Sequence, residues 1–301
     1  MKRKRIRHRL EYWLTMSISF FARLLPYRFA LFLGEIIGDI AFGVVRFRRR
    51  VALKNLSRCF KDKNIGELKK IAKGSYRNLG KSLIEYTLFP KLVRKKLSDL
   101  VEFDHAEYFE QALKGGKGAV LLTGHFGSWE LMAAAVSQMG YPVDLLVGEQ
   151  HNLLMDRLMN NYRMSMGVGI IKVGTSAKGV IKALRNNRFV AMLSDQDAGK
   201  DGVLVDFFNY PTSTPKGPAA FVLRTQVPII MGFIIRNNRK KQKVLLRIFR
   251  PSLNSDNKEQ DIKKLTQKYT SILESYIRKY PDHWYWIHRR WKSTLPPWKK
   301  Y

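Results

Sequence analysis

Residues 119–135 read AVLLTGHFGSWELMAAA, and this stretch sets the architecture. The unbroken apolar run Ala119-Val120-Leu121-Leu122 is that of a strand buried on both faces, ending at Thr123. Gly124-His125-Phe126-Gly127-Ser128 then makes a tight turn, and a helix opens with Ser128 as its cap. Working outward, further strands are expected at 143–147, 169–173, 189–193, 203–207, 227–235 and 244–249. Helical spacing marks 129–139, 153–166, 177–186, 218–225 and 261–280. Apolar strands alternating with helices predict an α/β fold, a mostly parallel central sheet flanked by helices.

The turn also carries the chemistry. It places His125 beyond the carboxyl end of a strand, where open α/β sheets hold ligands. Glu130 falls in the first helical turn. On a continuous helix residues 125 and 130 would lie on different faces, but the intervening turn lets them meet. A carboxylate bonded to one ring nitrogen fixes the tautomer and leaves the other nitrogen a better base. That base can take a proton from a hydroxyl as it attacks a thioester, and amides at the helix start can help hold the oxyanion. The bland reading stays open: acidic residues favour helix N-termini, and a histidine after a strand is often structural.

The first fifty residues differ from the rest. A basic leader, MKRKRIRHR, precedes an apolar run over 12–25, a break at Pro26, and a second run over 29–45 charged only at Glu35 and Asp39. No signal-peptide cleavage site is evident. Glu35 and Asp39 share one helix face, and RFRRR follows at 46–50. Positive flanks on both sides predict a helical anchor over 1–50 lying in the cytoplasmic leaflet rather than a clean span, with a catalytic domain over 51–301. A pair of amphipathic helices packed on the domain is the alternative. The 55 Lys and Arg against 24 Asp and Glu leave a net charge of +31, which selects anionic partners: nucleic acid, an anionic bilayer or an acidic carrier protein. A single cysteine, Cys59, excludes an internal disulfide and suits a reducing compartment.

Asp195 and Asp197 flank a strand end that should lie near His125. With no clear third ligand they are a weak metal signal, so neither a metal nor a cofactor is expected. Orientation of His125, contact with donor or acceptor, and turn capping all remain open for them. Alternation puts one of the two toward the site and Gln196 away from it. Arg157 or Arg163 can neutralise a phosphate. Trp286 and Trp291 bracket Arg289 and Arg290, which suits an interfacial headgroup site and equally suits nucleic acid.

His-x4-Glu after a buried strand is similar to the His-x4-Asp/Glu motif of the lysophospholipid acyltransferase superfamily. Leu193-Ser194-Asp195-Gln196-Asp197, Val205-Asp206-Phe207-Phe208, Thr212-Ser213-Thr214-Pro215-Lys216-Gly217-Pro218, Val227-Pro228-Ile229-Ile230 and the ending Trp284 to Trp291 look like its bacterial lipid A branch, the late lauroyl and myristoyl acyltransferases. Lys216 stands where that branch usually carries glycine, which bears on acceptor contacts. The resemblance runs to about Lys292. It implies an enzyme at the cytoplasmic face of the inner membrane, moving acyl groups from acyl carrier protein to a hydroxyl on an acylated, phosphorylated glucosamine disaccharide. His125 and Glu130 would be catalytic, with Arg163, Asp195, Asp197, Lys216, Arg289 and Arg290 contacting substrate. A related branch acylates mannosyl phosphatidylinositol with the same motif, and a glycerophospholipid acceptor is a near rival. From other classes, an RNA-binding protein and a non-catalytic membrane tether compete. The RNA reading has no RNP, KH or zinc pattern behind it.

Overall fold

The computed structural model describes residues 2–237, 241–251 and 257–295. Two long helices, α1 (Lys2–Leu24) and α2 (Tyr27–Gly43), lead into α3 (Arg49–Cys59), α4 (Ile65–Thr87) and the short α5 (Phe89–Leu92). Then follow β1 (Val101–Asp104), α6 (Glu107–Leu113), β2 (Ala119–Thr123), α7 (Trp129–Gln138), β3 (Val143–Val147), α8 (Leu153–Ser165), β4 (Gly169–Lys172), α9 (Ser176–Arg185) and β5 (Phe189–Leu193). The hairpin β6 (Val203–Phe207) and β7 (Tyr210–Thr214), α10 (Gly217–Thr225), β8 (Ile229–Ile235), β9 (Gln242–Phe249) and α11 (Lys258–Lys279) complete the order.

Seven strands form one sheet in the order β1-β9-β8-β2-β5-β3-β4. Among the described residues of this sheet only the β8–β9 pair is antiparallel. The expected mostly parallel sheet is therefore present. Alternate residues of each strand feed two cores. Val120 and Leu122 join α9, α10 and α11 on one face. Ala119, Ile230 and Ile234 join α6, α7 and α8 on the other.

One strand expectation changes. Residues 203–207 leave the sheet and pair with β7 as a separate antiparallel ribbon. The cause is the two-residue turn Phe208-Asn209, both at positive φ, which folds the strand straight back. The edge strand β1 and the short α6 were not expected.

The N-terminal helices are not a loose appendage. Gly34 and Gly38 of α2 cross Gly80 of α4 so closely that a Cβ on Gly38 would sit 2.4 Å from the Tyr76 carbonyl. Glu35 and Asp39, one helical turn apart, pair with Arg77, Lys81 and Lys73 of α4. Among the described residues no helix is long and apolar enough to cross a membrane. Both helices nevertheless expose apolar stripes at helical spacing: Leu10, Leu14, Phe21 and Leu24 on α1, and Phe29, Phe32, Ile36 and Ile40 on α2.

Candidate active site

Parallel pairing of β2 with β5 sets Thr123 beside Leu193, so both strands release their chains at one edge. From β2 comes His125 and from β5 comes Asp195. The Asp195 carboxylate, almost fully buried, takes three hydrogen bonds. Its Oδ1 lies 2.7 Å from His125 Nδ1, and its Oδ2 accepts from the His125 amide at 2.7 Å and from Trp284 Nε1 at 2.8 Å. Burial by itself would raise the Asp195 pKa. The adjacent His125 and these donors outweigh it and hold the carboxyl down at about 2. An ionised carboxylate at Nδ1 makes that nitrogen the donor, so Nε2 carries the lone pair.

The turn is fastened from behind. Gly127 sits at φ +57 with Ile234 O 2.1 Å from where a Cβ would be, so glycine is required there. The segment after α11 runs alongside it. Gly127 N donates to His283 O at 2.8 Å, and Tyr285 N donates to His125 O at 3.1 Å. Ser128 occupies the N-cap position but makes no side-chain cap. Its hydroxyl donates instead to Glu85 on α4 at 2.5 Å.

Glu130 is where the sequence expectation is corrected. Both of its carboxylate oxygens are taken by Arg163 of α8, from Nε at 3.0 Å and Nη2 at 2.5 Å. The imidazole partner is Asp195, not Glu130. Arg163, expected at a phosphate, is held by Glu130 and Asn160, and its guanidinium lies 5.6 Å from the Tyr86 ring centre.

The other candidates separate. Arg290 is buried and donates to the carbonyls of Ser213 and Gln196 and to Thr214, locking the β6–β7 ribbon to the chain after β5. Trp284, Trp286 and Trp291 are equally buried, so this ending is core and not a headgroup surface. Arg289 is exposed. Asp197 turns away from His125: its carboxylate accepts from Ser293, and its amide donates to His288 Nε2 at 3.0 Å. Gln196, expected to face away, stands with its amide nitrogen 3.2 Å from His125 Nε2. The strand ends at Leu193, so alternation no longer governs it. Lys216 is exposed between Pro215 and Gly217, both in the cavity wall. Among the described residues no group of three or more His, Cys, Asp or Glu is placed to hold a metal.

His125 opens into a cavity of about 970 Å³. Its polar end holds Glu130, Arg163, Gln150, Gln196 and Tyr285. An apolar arm runs between α7 and the sheet past Leu121, Met132, Ala133, Val136, Leu145 and Ile230 to Phe103 and Phe109. Ile37, Phe47 and Leu83 line it too, and the half-exposed Phe47 and Leu83 put that side at the surface.

His288 supplies a pH test of this region. Burial lowers its pKa from 6.5 to about 4, and its Nε2 must stay unprotonated to accept from Asp197. The unfolded chain therefore binds the proton first. Stability is full above pH 6.5 and falls as pH drops from 6.5 through 4, by at most about 3 kcal/mol. A His288→Gln variant should flatten denaturant midpoints across that window. An unchanged slope would contradict the buried neutral ring.

Residues 1–293 match the bacterial lipid A biosynthesis acyltransferase family, and the chain belongs to it. It is 26% identical over 290 residues to the lipid A biosynthesis palmitoleoyltransferase of Escherichia coli (strain K12), covering 94% of this chain and 92% of that one. It is 22% identical over 287 residues to the lipid A biosynthesis lauroyltransferase of the same strain, at 94% and 92% coverage. The phosphatidylinositol mannoside acyltransferase of Mycolicibacterium smegmatis (strain ATCC 700084 / mc(2)155) is 25% identical over 201 residues, or 65% of this chain and 63% of that one. The RNA-binding and tether readings give way to an enzyme.

Proposed function

We propose that this enzyme moves a fatty acyl group from the thioester of an acyl carrier protein to a hydroxyl of a phosphorylated lipid A precursor. His125 is the general base. The carrying observation is the Nδ1–Asp195 bond with Nε2 facing a cavity that has an apolar arm. Nε2 takes the acceptor hydroxyl proton as its oxygen attacks the thioester carbonyl carbon. Collapse of the tetrahedral intermediate expels the thiolate, which receives that proton from the imidazolium. Asp195 stabilises the imidazolium between the two transfers. Glu130 and Arg163 act as a pair that ties α7 to α8 beside the reacting atoms. The apolar arm takes the acyl chain.

The test is transfer by the purified protein from an acyl-carrier thioester to the glucosamine disaccharide lipid, read by mass spectrometry. Mass gain on mannosyl phosphatidylinositol or a glycerophospholipid alone would reassign the acceptor. Val136→Phe should fill the arm and cut the rate for the longest chains by about tenfold while sparing short ones, since each buried methylene contributes about 0.8 kcal/mol. An unchanged chain-length profile would move the acyl site elsewhere.

We further propose that residues 1–50 lie in the cytoplasmic leaflet of the inner membrane, with the apolar stripes of α1 and α2 immersed and the basic leader of α1 at the headgroups. The catalytic domain of 51–301 then shares its cavity wall with α2. Phe21→Glu with Phe32→Glu should weaken vesicle binding by at least tenfold, because each apolar side chain contributes about 1.5–3 kcal/mol when buried. Flotation at the wild-type level would contradict this. The net charge favours an acidic carrier as donor.

A further inference from the structure

We propose that the segment Arg46-Phe47-Arg48-Arg49-Arg50, the turn after α2 and the first residues of α3, is a phosphate-binding rim of the catalytic cavity, taking a phosphate group of the acceptor lipid. The inference rests on the acceptor reading above and names where its charge is held. Phe47 lines the same cavity as His125 while remaining half exposed, so the turn is at the mouth. Arg46 and Arg48 are exposed on either side of it.

The turn is fixed rather than merely charged. Arg46 and Arg48 both adopt left-handed backbone conformations, φ 54 and 49, which L-residues other than Asn and Gly rarely take. The Phe47 carbonyl accepts from the Tyr76 hydroxyl, and Phe47 N donates to Ala41 O at 3.0 Å. The Arg49 guanidinium lies 4.4 Å from the Phe42 ring centre. The Arg48 guanidinium lies 5.7 Å from the centre of the Phe47 ring, and Phe47 shares the cavity wall with Tyr285, whose ring lies 5.6 Å from His125.

The internal contacts of these cations are a backbone carbonyl and aromatic rings, not carboxylates. Among the described residues Arg46, Arg48, Arg49 and Arg50 enter no ion pair, whereas Lys73, Arg77 and Lys81 across α2 are all matched by Glu35 or Asp39. A guanidinium fork suits a phosphomonoester's oxygens better than a point charge does. A flank serving only the bilayer needs charge, which the leader on α1 already supplies, and has no use for a backbone held against the cavity.

The experiment compares equilibrium binding of the glucosamine disaccharide lipid, detergent-dispersed, before and after phosphatase treatment. Wild type should prefer the phosphorylated form by about tenfold or more, and R46G/R48G should bring the two within about threefold. Glycine accepts positive φ, so this variant keeps the turn. R46N/R48N, which also tolerates that region, is the second variant should the first fold poorly. Pelleting with phosphatidylglycerol vesicles should stay within about twofold of wild type, because α1 and α2 are untouched. The rim is overturned if wild type shows no preference, if the variants keep it, or if vesicle and glycolipid binding fall together, which would make the turn a bilayer flank. Preferential binding without acyl transfer would sink the proposed function and leave the rim standing.

Discussion

His125→Ala is expected to lower the acyl-transfer rate constant by about 10²–10⁴-fold while donor and acceptor KM stay within a few-fold. The loss belongs to kcat because Nε2 acts only as the hydroxyl proton leaves. The substitution is also structurally mild. The turn is held by hydrogen bonds of main-chain groups, from His125 N to the Asp195 carboxylate, from Gly127 N to His283 O, and from Tyr285 N to His125 O, all of which alanine keeps. Asp195 loses its largest stabilising neighbour but retains Trp284 and that amide. Steady-state kinetics beside a thermal melt separate the cases. More than about a tenth of the wild-type rate would remove His125 as the base.

Asp195→Asn should do comparable damage for a different reason. Its Oδ2 accepts from two fixed donors, the His125 amide and Trp284 Nε1. An asparagine must therefore put its carbonyl oxygen there, which turns its amide NH₂ toward Nδ1. Nδ1 then accepts, the ring proton moves to Nε2, and the base is blocked. A triad that loses its carboxylate in this way drops by about 10⁴-fold, so 10²–10⁴ in kcat is the expected range. Loss confined to KM would contradict the assignment.

Sequence carries the scaffold well. The apolar run Ala119 to Leu122 and the breaks at Gly124 and Gly127 mark strand, turn and helix, because burial on both faces leaves no polar position in the strand. That His125 and the 195–197 region meet follows from parallel pairing alone. Which carboxylate reaches the imidazole does not. Glu130 is nearer in sequence, but Arg163 captures both its oxygens, and a contact across that separation leaves no local pattern. Trp286, Arg290 and Trp291 read as an interfacial patch, since composition cannot tell a buried guanidinium bonded to carbonyls from one facing a headgroup. The β6–β7 turn was hidden because Phe208 is an unusual residue at positive φ. The role of 46–50 depends on where Phe47 points, which a charge run does not reveal.

The most direct test of the Asp195–His125 account is the position of the imidazole proton, read by ¹⁵N NMR of the His125 side chain in wild type, Asp195→Asn and Glu130→Gln under conditions that keep the ring neutral. The account predicts a proton on Nδ1 and a bare Nε2 in wild type and in Glu130→Gln, and the reverse in Asp195→Asn. A proton on Nε2 in wild type, or a tautomer that flips with Glu130→Gln and not with Asp195→Asn, would contradict it.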